Sequence, residues 1–303
     1  MFVLQPDPFL LPSYGISPFQ TKDIAVNSQL PISNLADDYF KKRFGTRSFF
    51  YVNNGREAIK IALQHYKLLP QDVVTIFTSS GNFYISSCVT NEVEKFCTWS
   101  RKIEHNTKVI FVNHEFGYPF PQIETLKKYN LPIIEDCCHS FFSTNNSETI
   151  GITGDFSIYS FPKIFPIQIG GLLTTNILTN INSTIADNTL QYIKNVLSFY
   201  LPQQKDIVAK RIENYQYLAK ALNTNTFNER FTLLPGIVPG VFMFTVKDNE
   251  IQLPALKTYL YAHGIQCSVF YGEHAFFIPV HQQLSKIDLD YFIAVIHSMP
   301  IIA

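Results

Sequence analysis

No uninterrupted apolar run in the 303 residues approaches the ~18 needed to cross a bilayer as a helix, so no membrane span is expected. Neither sign of charge is in excess. Lys and Arg number 24, Asp and Glu 24, and the pI is about 7.1, which removes the basic footprint that a nucleic acid or an anionic lipid surface would ask for. Cysteine is scarce. Cys88, Cys97, Cys137, Cys138 and Cys267 make an odd number, and no pair has metal-ligand spacing, so neither a disulfide framework nor a metal site is expected. Free thiols in a reducing, cytoplasmic compartment fit this usage best. The first eight residues, Met1 to Pro8, lack a cationic segment followed by a long apolar one, so they do not resemble a secretory leader. Eight histidines are present, but no Gly-x-Ser-x-Gly elbow supports a serine hydrolase. Internal repeats and low-complexity blocks are also absent. Arginine stops at Arg230, which leaves the C-terminal part without the planar fork that usually fixes a carboxylate.

What is present is apolar matter: 46% hydrophobic and only 16% charged residues, enough for a sizeable core in one large or two moderate domains. With 27 Phe and 16 Tyr, part of that surface is expected to serve a subunit interface. Phe2 to Leu35, rich in Pro and short polar residues, reads as an irregular arm, and Ile32 to Phe44 as a first helix capped by Ser33 or Asn34. Strand-like Phe49–Val52 runs into Asn53-Asn54-Gly55-Arg56. Ala58, Ile59, Ala62, Leu63 and Tyr66 then fall at helical spacing, so Gly55 and Arg56 should open a helix. A helix start offers unpaired N–H groups and a positive dipole end, which suit a phosphate. Arg56 either adds charge to that phosphate or is a solvated helix-start residue, and Asn53-Asn54-Gly55 alone is also a plain turn.

Val73–Phe77 and Lys108–Val112 read as strands. The second is followed by a turn, Asn113 to Pro119, and by a short helix through Ile123, Leu126 and Tyr129. Strand, helix, strand at this spacing predicts a parallel sheet. The most informative stretch is Leu131 to Thr175. Ile133-Ile134 runs into Glu135-Asp136-Cys137-Cys138-His139. Gly154-Asp155 precedes a strand through Phe156 and Ile158 that ends at Ser160-Phe161-Pro162-Lys163, and Gly170-Gly171 opens Leu172–Thr175. Ligands of a parallel α/β sheet bind beyond the carboxyl ends of its strands, so Asp136, His139, Ser160 and Lys163 are expected in one crevice. An amine, a carboxylate, a His and a hydroxyl together suit an aldehyde cofactor: lysine forms a Schiff base, and a carboxylate keeps the ring nitrogen protonated. A lone Lys is far more often a solvated surface group. The joint order of the segments shifts those odds.

Those segments resemble the DegT/DnrJ/EryC1/StrS family of sugar aminotransferases, whose pattern runs roughly Ile-Glu-Asp-Ala-Ala-Gln-Ser, then Gly-Asp-x-Ser-x-x-Ser-Phe with a lysine, then Glu-Gly-Gly. Ile134-Glu135-Asp136, His139-Ser140, Gly154-Asp155, Ser157, Ser160-Phe161, Lys163 and Gly170-Gly171 match it. Two residues fewer separate Ser160 from the lysine than in the family, and Ile169 stands where the family has Glu. The resemblance implies an α/β, fold-type I chain. It would have a large cofactor-binding domain (1–202) of mostly parallel sheet and a small C-terminal α+β domain (203–303), and it would be a short member of its family. It further implies pyridoxal 5'-phosphate, with Lys163 as the aldehyde-binding amine and Asp136 on the ring nitrogen. His139 stands in the slot of a Gln that bonds the phenolic oxygen. Gly55, Arg56 and Ser160 would hold the phosphate, and Tyr84, with Phe83 as the alternative, would lie on the ring. His114 and Tyr118, in a turn like the family's Val-His-x-x-Gly-x-Pro, would line the substrate site, or else be satisfied polar groups of a helix-entry loop. Arg211 to Tyr215 resembles an Arg-x-x-Asn-Tyr helix of the family, and Pro279, Gln282 and Leu284 resemble its C-terminal Pro and Gln-x-Leu. No asparagine among Asn176, Asn180, Asn182, Asn188 and Asn195 has the context of the family's cross-subunit phosphate ligand.

The implied activity is amino transfer, with glutamate as the expected donor, to a nucleotide-linked keto sugar in surface-polysaccharide or secondary-metabolite biosynthesis, by a homodimer with its site near the interface. The alternatives are a relative without transamination, such as a sugar dehydratase, or a non-catalytic binding subunit. Lys163 favours transfer, because the dehydratase relative carries His there.

Overall fold

The computed structural model describes residues 13–145, 148–177, 181, 184–247 and 251–299; the first eight residues, Asn180 and Asn182 lie outside them. Two helices, α1 (Lys22–Ser28) and α2 (Leu35–Phe44), precede β1 (Ser48–Val52). The lead-in expected to be irregular therefore contains a short helix, whose Asp23 turns back to accept the Gln20 N–H at 2.7 Å. Helix α2 starts later than Ile32, because Ser33 Oγ takes the Leu35 N–H at 3.3 Å and the Asn34 carbonyl takes that of Asp37.

Next come α3 (Gly55–His65), β2 (Val73–Thr78), α4 (Ser87–Val93), β3 (Thr98–Ser100), β4 (Thr107–Asn113) and β5 (Ile133–Asp136). The link from β4 to β5 carries the expected short helix as a 3-10 helix, Ile123–Tyr129. A small hairpin, β6 (Thr144–Asn145) with β7 (Glu148–Thr149), then leads to β8 (Phe156–Ser160) and β9 (Gly171–Thr175). The seven-stranded sheet has the order β1-β9-β8-β5-β4-β2-β3. All its pairs are parallel except those of β9, which runs against β8 and β1.

Strands buried on both faces read as continuous apolar runs rather than clean alternation. Ile158 and Leu173 join the layer under α3 and α4, whereas Tyr159 and Leu172 join the layer under α2 and α5 (Asp187–Tyr200). Much of the aromatic content lies in that second layer, where Phe40 packs against Phe44, Phe49, Tyr51, Phe141 and Phe161.

After α6 (Gln204–Ala221), a second sheet forms from β10 (Phe227–Glu229), β11 (Phe242–Val246), β12 (Ser268–Phe270) and β13 (Ala275–Ile278), in the antiparallel order β10-β11-β13-β12. Helices α7 (Leu253–Ala262) and α8 (Lys286–His297) pack on it with α6 around Phe242, Phe244, Phe276 and Phe292. Strands β3, β10 and β13 leave no clear pattern in the sequence; at three or four residues they are too short to show a period. Helix α8 is capped by Ser285. Asp288 is the return arm of a capping box: its carboxylate takes the Ser285 N–H at 2.7 Å and Ser285 Oγ takes its N–H at 3.3 Å.

Candidate active site

The parallel strands all end on one side, and register brings their last residues together: Asn113 of β4 lies beside Asp136 of β5, which neighbours Ile158 of β8. Helix α3 opens over the same edge. Its cap, Asn54, accepts the Glu57 N–H at 3.0 Å, while the N–H groups of Gly55 and Arg56 have no acceptor inside the helix. A Cβ on Gly55 would stand 3.1 Å from Cys138 Sγ and 3.5 Å from Ser160 Cβ, so glycine lets the helix start sit down on the strand ends. Strand β9 must pass equally close: a Cβ on Gly171 would reach within 2.6 Å of the Tyr159 carbonyl, and Gly170, at φ +99°, donates its N–H to Asn53 at 2.7 Å.

The result is a cavity of about 520 Å³, within the usual range of small-molecule sites. Gly55, Arg56, Tyr84, Asp136, His139, Ser160 and Lys163 all line it. Lys163 lies on a single 3-10 turn, Phe161–Lys163, with proline inside it. Despite the two fewer residues before it, the lysine reaches the cavity wall. Phe83, the alternative to Tyr84, is 70% exposed, whereas Tyr84 is held between the cavity, Phe270 and a stacked Tyr271 at 6.2 Å.

Asp136 is 7% exposed. Its Oδ1 accepts the Cys138 N–H at 3.0 Å, and no cation is paired with it among the described residues. Burial raises its carboxyl above the ordinary range, more than that hydrogen bond and the nearby Lys163 lower it. His139 is pushed well below the ordinary imidazole range, first by burial and then by the positive charges of Lys163 and Arg211, so its ring is neutral at physiological pH. Its Nδ1 has no partner and faces Gly240, where a Cβ would stand only 2.9 Å away.

His114 and Tyr118 do not line the cavity, and the second reading of that turn holds. Both turn inward and are satisfied there. His114 Nδ1 accepts the Phe120 N–H at 2.9 Å, which leaves Nε2–H to donate to Glu135 at 3.0 Å, and Tyr118 bonds the Phe231 carbonyl at 3.3 Å. Burial alone would raise the Glu135 carboxyl, but His114 and the Gly154 and Thr153 N–H groups hold it below the usual range. His114, Glu135 and Cys137 bring three ligand-type atoms within 4.8 Å of one another, yet both nitrogens of the His and both oxygens of the Glu are already bonded. The wall positions go instead to the flanking Asn113, Glu115 and Phe116. Phe116 adopts a left-handed conformation, φ 52°, which is uncommon outside glycine. The far wall, Lys257, Tyr261 and Gln266, comes from α7 and the segment after it. No local signal marks those residues, because only the tertiary fold brings them there. Cys137 and Cys138, just past β5, do point opposite ways as the strand period requires: Cys137 into the layer under α2 and α5, Cys138 into the cavity. All five cysteines are free.

Residues 95–183 match the model of the DegT/DnrJ/EryC1/StrS aminotransferase family, across β4, β5, β8 and β9 and the lysine turn. This stretch of the chain is thus similar to that family. A DegT-family relative, the GDP-perosamine synthase of Escherichia coli O157:H7, is 28% identical over 178 residues, 52% of this chain; the chain spans only about half of that relative, 47%. The dTDP-3-amino-3,6-dideoxy-alpha-D-galactopyranose transaminase of Aneurinibacillus thermoaerophilus is 28% identical over 294 residues, 81% of this chain and 77% of its own. Among solved structures, the aminotransferase TlmJ from Streptoalloteichus hindustanus superposes with a TM-score of 0.73 at 17% identity, covering 98% of each chain. The E coli GDP-4-keto-6-deoxy-D-mannose-3-dehydratase with bound hydrated PLP gives 0.68 at 14% identity, covering 95% of this chain and 100% of its own. The chain thus has the α/β fold of these structures: a large mixed sheet with helices on both faces.

Proposed function

We propose that this chain is a pyridoxal-phosphate-dependent aminotransferase that moves an amino group, from glutamate, to a nucleotide-linked keto sugar. The observation that carries the reading is the meeting of Lys163, Asp136, Ser160 and the start of α3 in one cavity. The donor set fits the cofactor group by group. An amine would take the aldehyde, a buried carboxyl with no cation paired among the described residues would take the ring nitrogen, and a helix start with Arg56 and Ser160 would take the phosphate.

When bound, the cofactor supplies an aldehyde carbon for the amino group and a protonated ring that draws electrons from the bond being broken. Asp136 keeps the proton on the ring nitrogen. Arg56, Ser160 and the N–H groups at the start of α3 would hold the phosphate, Tyr84 would stack on the ring, and neutral His139 would offer one hydrogen bond to the phenolic oxygen. Lys163 would hold the aldehyde until an amino substrate displaces it, and its freed Nζ would then carry the proton from the amino-bearing substrate carbon to the cofactor's aldehyde carbon.

The relatives' names support a nucleotide sugar as acceptor. The C-terminal part supports it too, in that it supplies no guanidinium fork for an amino-acid carboxylate. Its nearest arginine, Arg230, is engaged with Glu273. We place the work in the cytoplasm, without nucleic acid or membrane partners. No helix among the described residues is long and apolar enough to cross a membrane. We also take residues 1–202 as the cofactor-binding unit and 203–303 as the smaller one.

The test is a spectrum of the loaded protein before and after glutamate, followed by an acceptor screen. The visible band should bleach with the donor and return with a nucleotide keto sugar. Rapid return with simple 2-oxo acids and none with a panel of nucleotide keto sugars would replace the sugar by a general amino-acid acceptor. The alternative, a sugar dehydratase or a non-catalytic subunit, calls for a band that the donor leaves unchanged, or for no band.

We further propose a homodimer with the site near the interface. Light scattering at micromolar concentration should give about twice the chain mass; a monomer with cofactor bound would refute this.

A further inference from the structure

Three consecutive carbonyls around Lys163 are each held by a side chain from a different part of the chain. Pro162 O accepts Ser17 Oγ at 2.6 Å, Lys163 O accepts Arg211 Nη2 at 3.0 Å, and Ile164 O accepts Gln282 Nε2 at 2.8 Å. The last two donors are tied together, since Arg211 Nε donates to Gln282 Oε1 at 2.8 Å, and Arg211 Nη1 reaches on to Pro239 O at 3.2 Å. Asn214, one turn along α6 from Arg211, donates to the His281 carbonyl at 3.0 Å and so steadies the loop that presents Gln282.

The geometry has a specific consequence. Peptide units are planar, so a fixed carbonyl fixes its whole plane. Pro162 O sets the plane before the Lys163 Cα and Lys163 O sets the plane after it. Together they pin both backbone dihedrals of Lys163 and hence the direction in which its side chain leaves the turn. The 3-10 turn supplies only the Phe161 carbonyl with internal partners, Ile164 N at 3.0 Å and Phe165 N at 2.8 Å. The next three carbonyls depend on the outside donors.

The cost of this arrangement argues against filler. Arg211 is 0% exposed and has no carboxylate partner among the described residues. Burial lowers its pKa to about 9. A buried cation bonded only to neutral acceptors is expensive, and an apolar residue of similar volume is usually tolerated as well or better. Departures of this kind concentrate at functional sites.

We propose that Arg211, with Ser17 and Gln282, is a positioning residue whose task is to aim Lys163 into the cavity, offsetting the two residues missing between Ser160 and the lysine. This rests on reading Lys163 as the aldehyde-binding amine. Arg211 and Gln282 are the resemblance-bearing residues of α6 and of the C-terminal segment that the chemistry above leaves without a role.

The test compares wild type with Ser17→Ala, Gln282→Met, Arg211→Met and Arg211→Lys. Cofactor-free protein is mixed with pyridoxal phosphate, quenched with borohydride at timed intervals and mapped by peptide mass; circular dichroism of the bound chromophore and thermal midpoints are recorded alongside. The variants should trap the aldehyde on Lys163 about ten- to a hundredfold more slowly, the penalty of a misplaced reacting group, with altered dichroism of the chromophore. The loss should grow from Ser17→Ala to Arg211→Met, and Arg211→Lys should recover part of it. Should Arg211→Met fail to fold, Ser17→Ala and Gln282→Met decide. Variants that differ from wild type only in thermal midpoint, with wild-type trapping and dichroism, overturn the proposal. Wild type that labels on another lysine overturns the underlying reading instead, a result distinguishable from the first.

Discussion

Lys163→Ala is expected to lose essentially all amino transfer, by at least a factor of about a thousand, because one amine both holds the aldehyde and moves the proton. Lys163→Arg should be no better: the guanidinium is as cationic but does not give up its proton at working pH. Borohydride reduction of loaded wild-type protein should place the cofactor mass on the peptide carrying Lys163. The variant should still bind pyridoxal phosphate without a covalent bond, since Arg56, Ser160 and the helix start remain. Its thermal midpoint should stay close to that of wild type, because the backbone of the turn is held by Ser17, Arg211 and Gln282 rather than by the lysine side chain. A label found on any other lysine would remove Lys163 from the mechanism.

The large sheet was legible because its strands are short apolar runs that stop at polar residues. Ile133-Ile134 before Glu135-Asp136 is such a boundary, and both the strand and its end fall where the sequence places them. Asp136, Ser160, Lys163 and the start of α3 could be gathered from sequence because parallel strands deliver their ends to one edge. Side-chain direction beyond a strand end was not legible. His114 and Glu115 are neighbours, yet only Glu115 lines the cavity, in a turn that continues through a left-handed Phe116, a backbone state that nothing about a phenylalanine announces. Arg211 was legible as part of a helix but not as a buried charge, since an arginine on an amphipathic face is ordinarily solvated. The small sheet was half legible: β11 has five residues with an apolar run, whereas β10 exists only because β11 gives it a partner.

Asp136→Asn is expected to push activity and stability in opposite directions. The side chain is nearly isosteric, and its carbonyl oxygen can still accept the Cys138 N–H that Oδ1 now takes at 3.0 Å. What is lost is the charge. At about 4 Å and an effective dielectric near 20, a carboxylate and a ring cation attract by roughly 4 kcal/mol before desolvation is subtracted. Even half of that, ~2 kcal/mol, is a factor of about thirty in rate, since each ~1.4 kcal/mol is tenfold, so turnover should fall by at least about thirtyfold.

Stability of the cofactor-free protein should move the other way. Burial raises the folded-state pKa of Asp136 above its unfolded value of about 3.9. A group shifted upward contributes stability below its unfolded pKa and loses it as pH rises through the folded one. At pH 7.5 the ionised carboxylate therefore weighs against the fold, and the neutral amide does not. The Asn variant should melt at or above wild type there, by up to about 2 °C, and the advantage should vanish toward pH 4. Adding pyridoxal phosphate should reverse the order, because the cationic ring is then the partner that the carboxylate lacks. Wild-type turnover in Asp136→Asn, or a lower melting point without cofactor at pH 7.5, would show that this carboxyl is structural and that the ring nitrogen is held elsewhere.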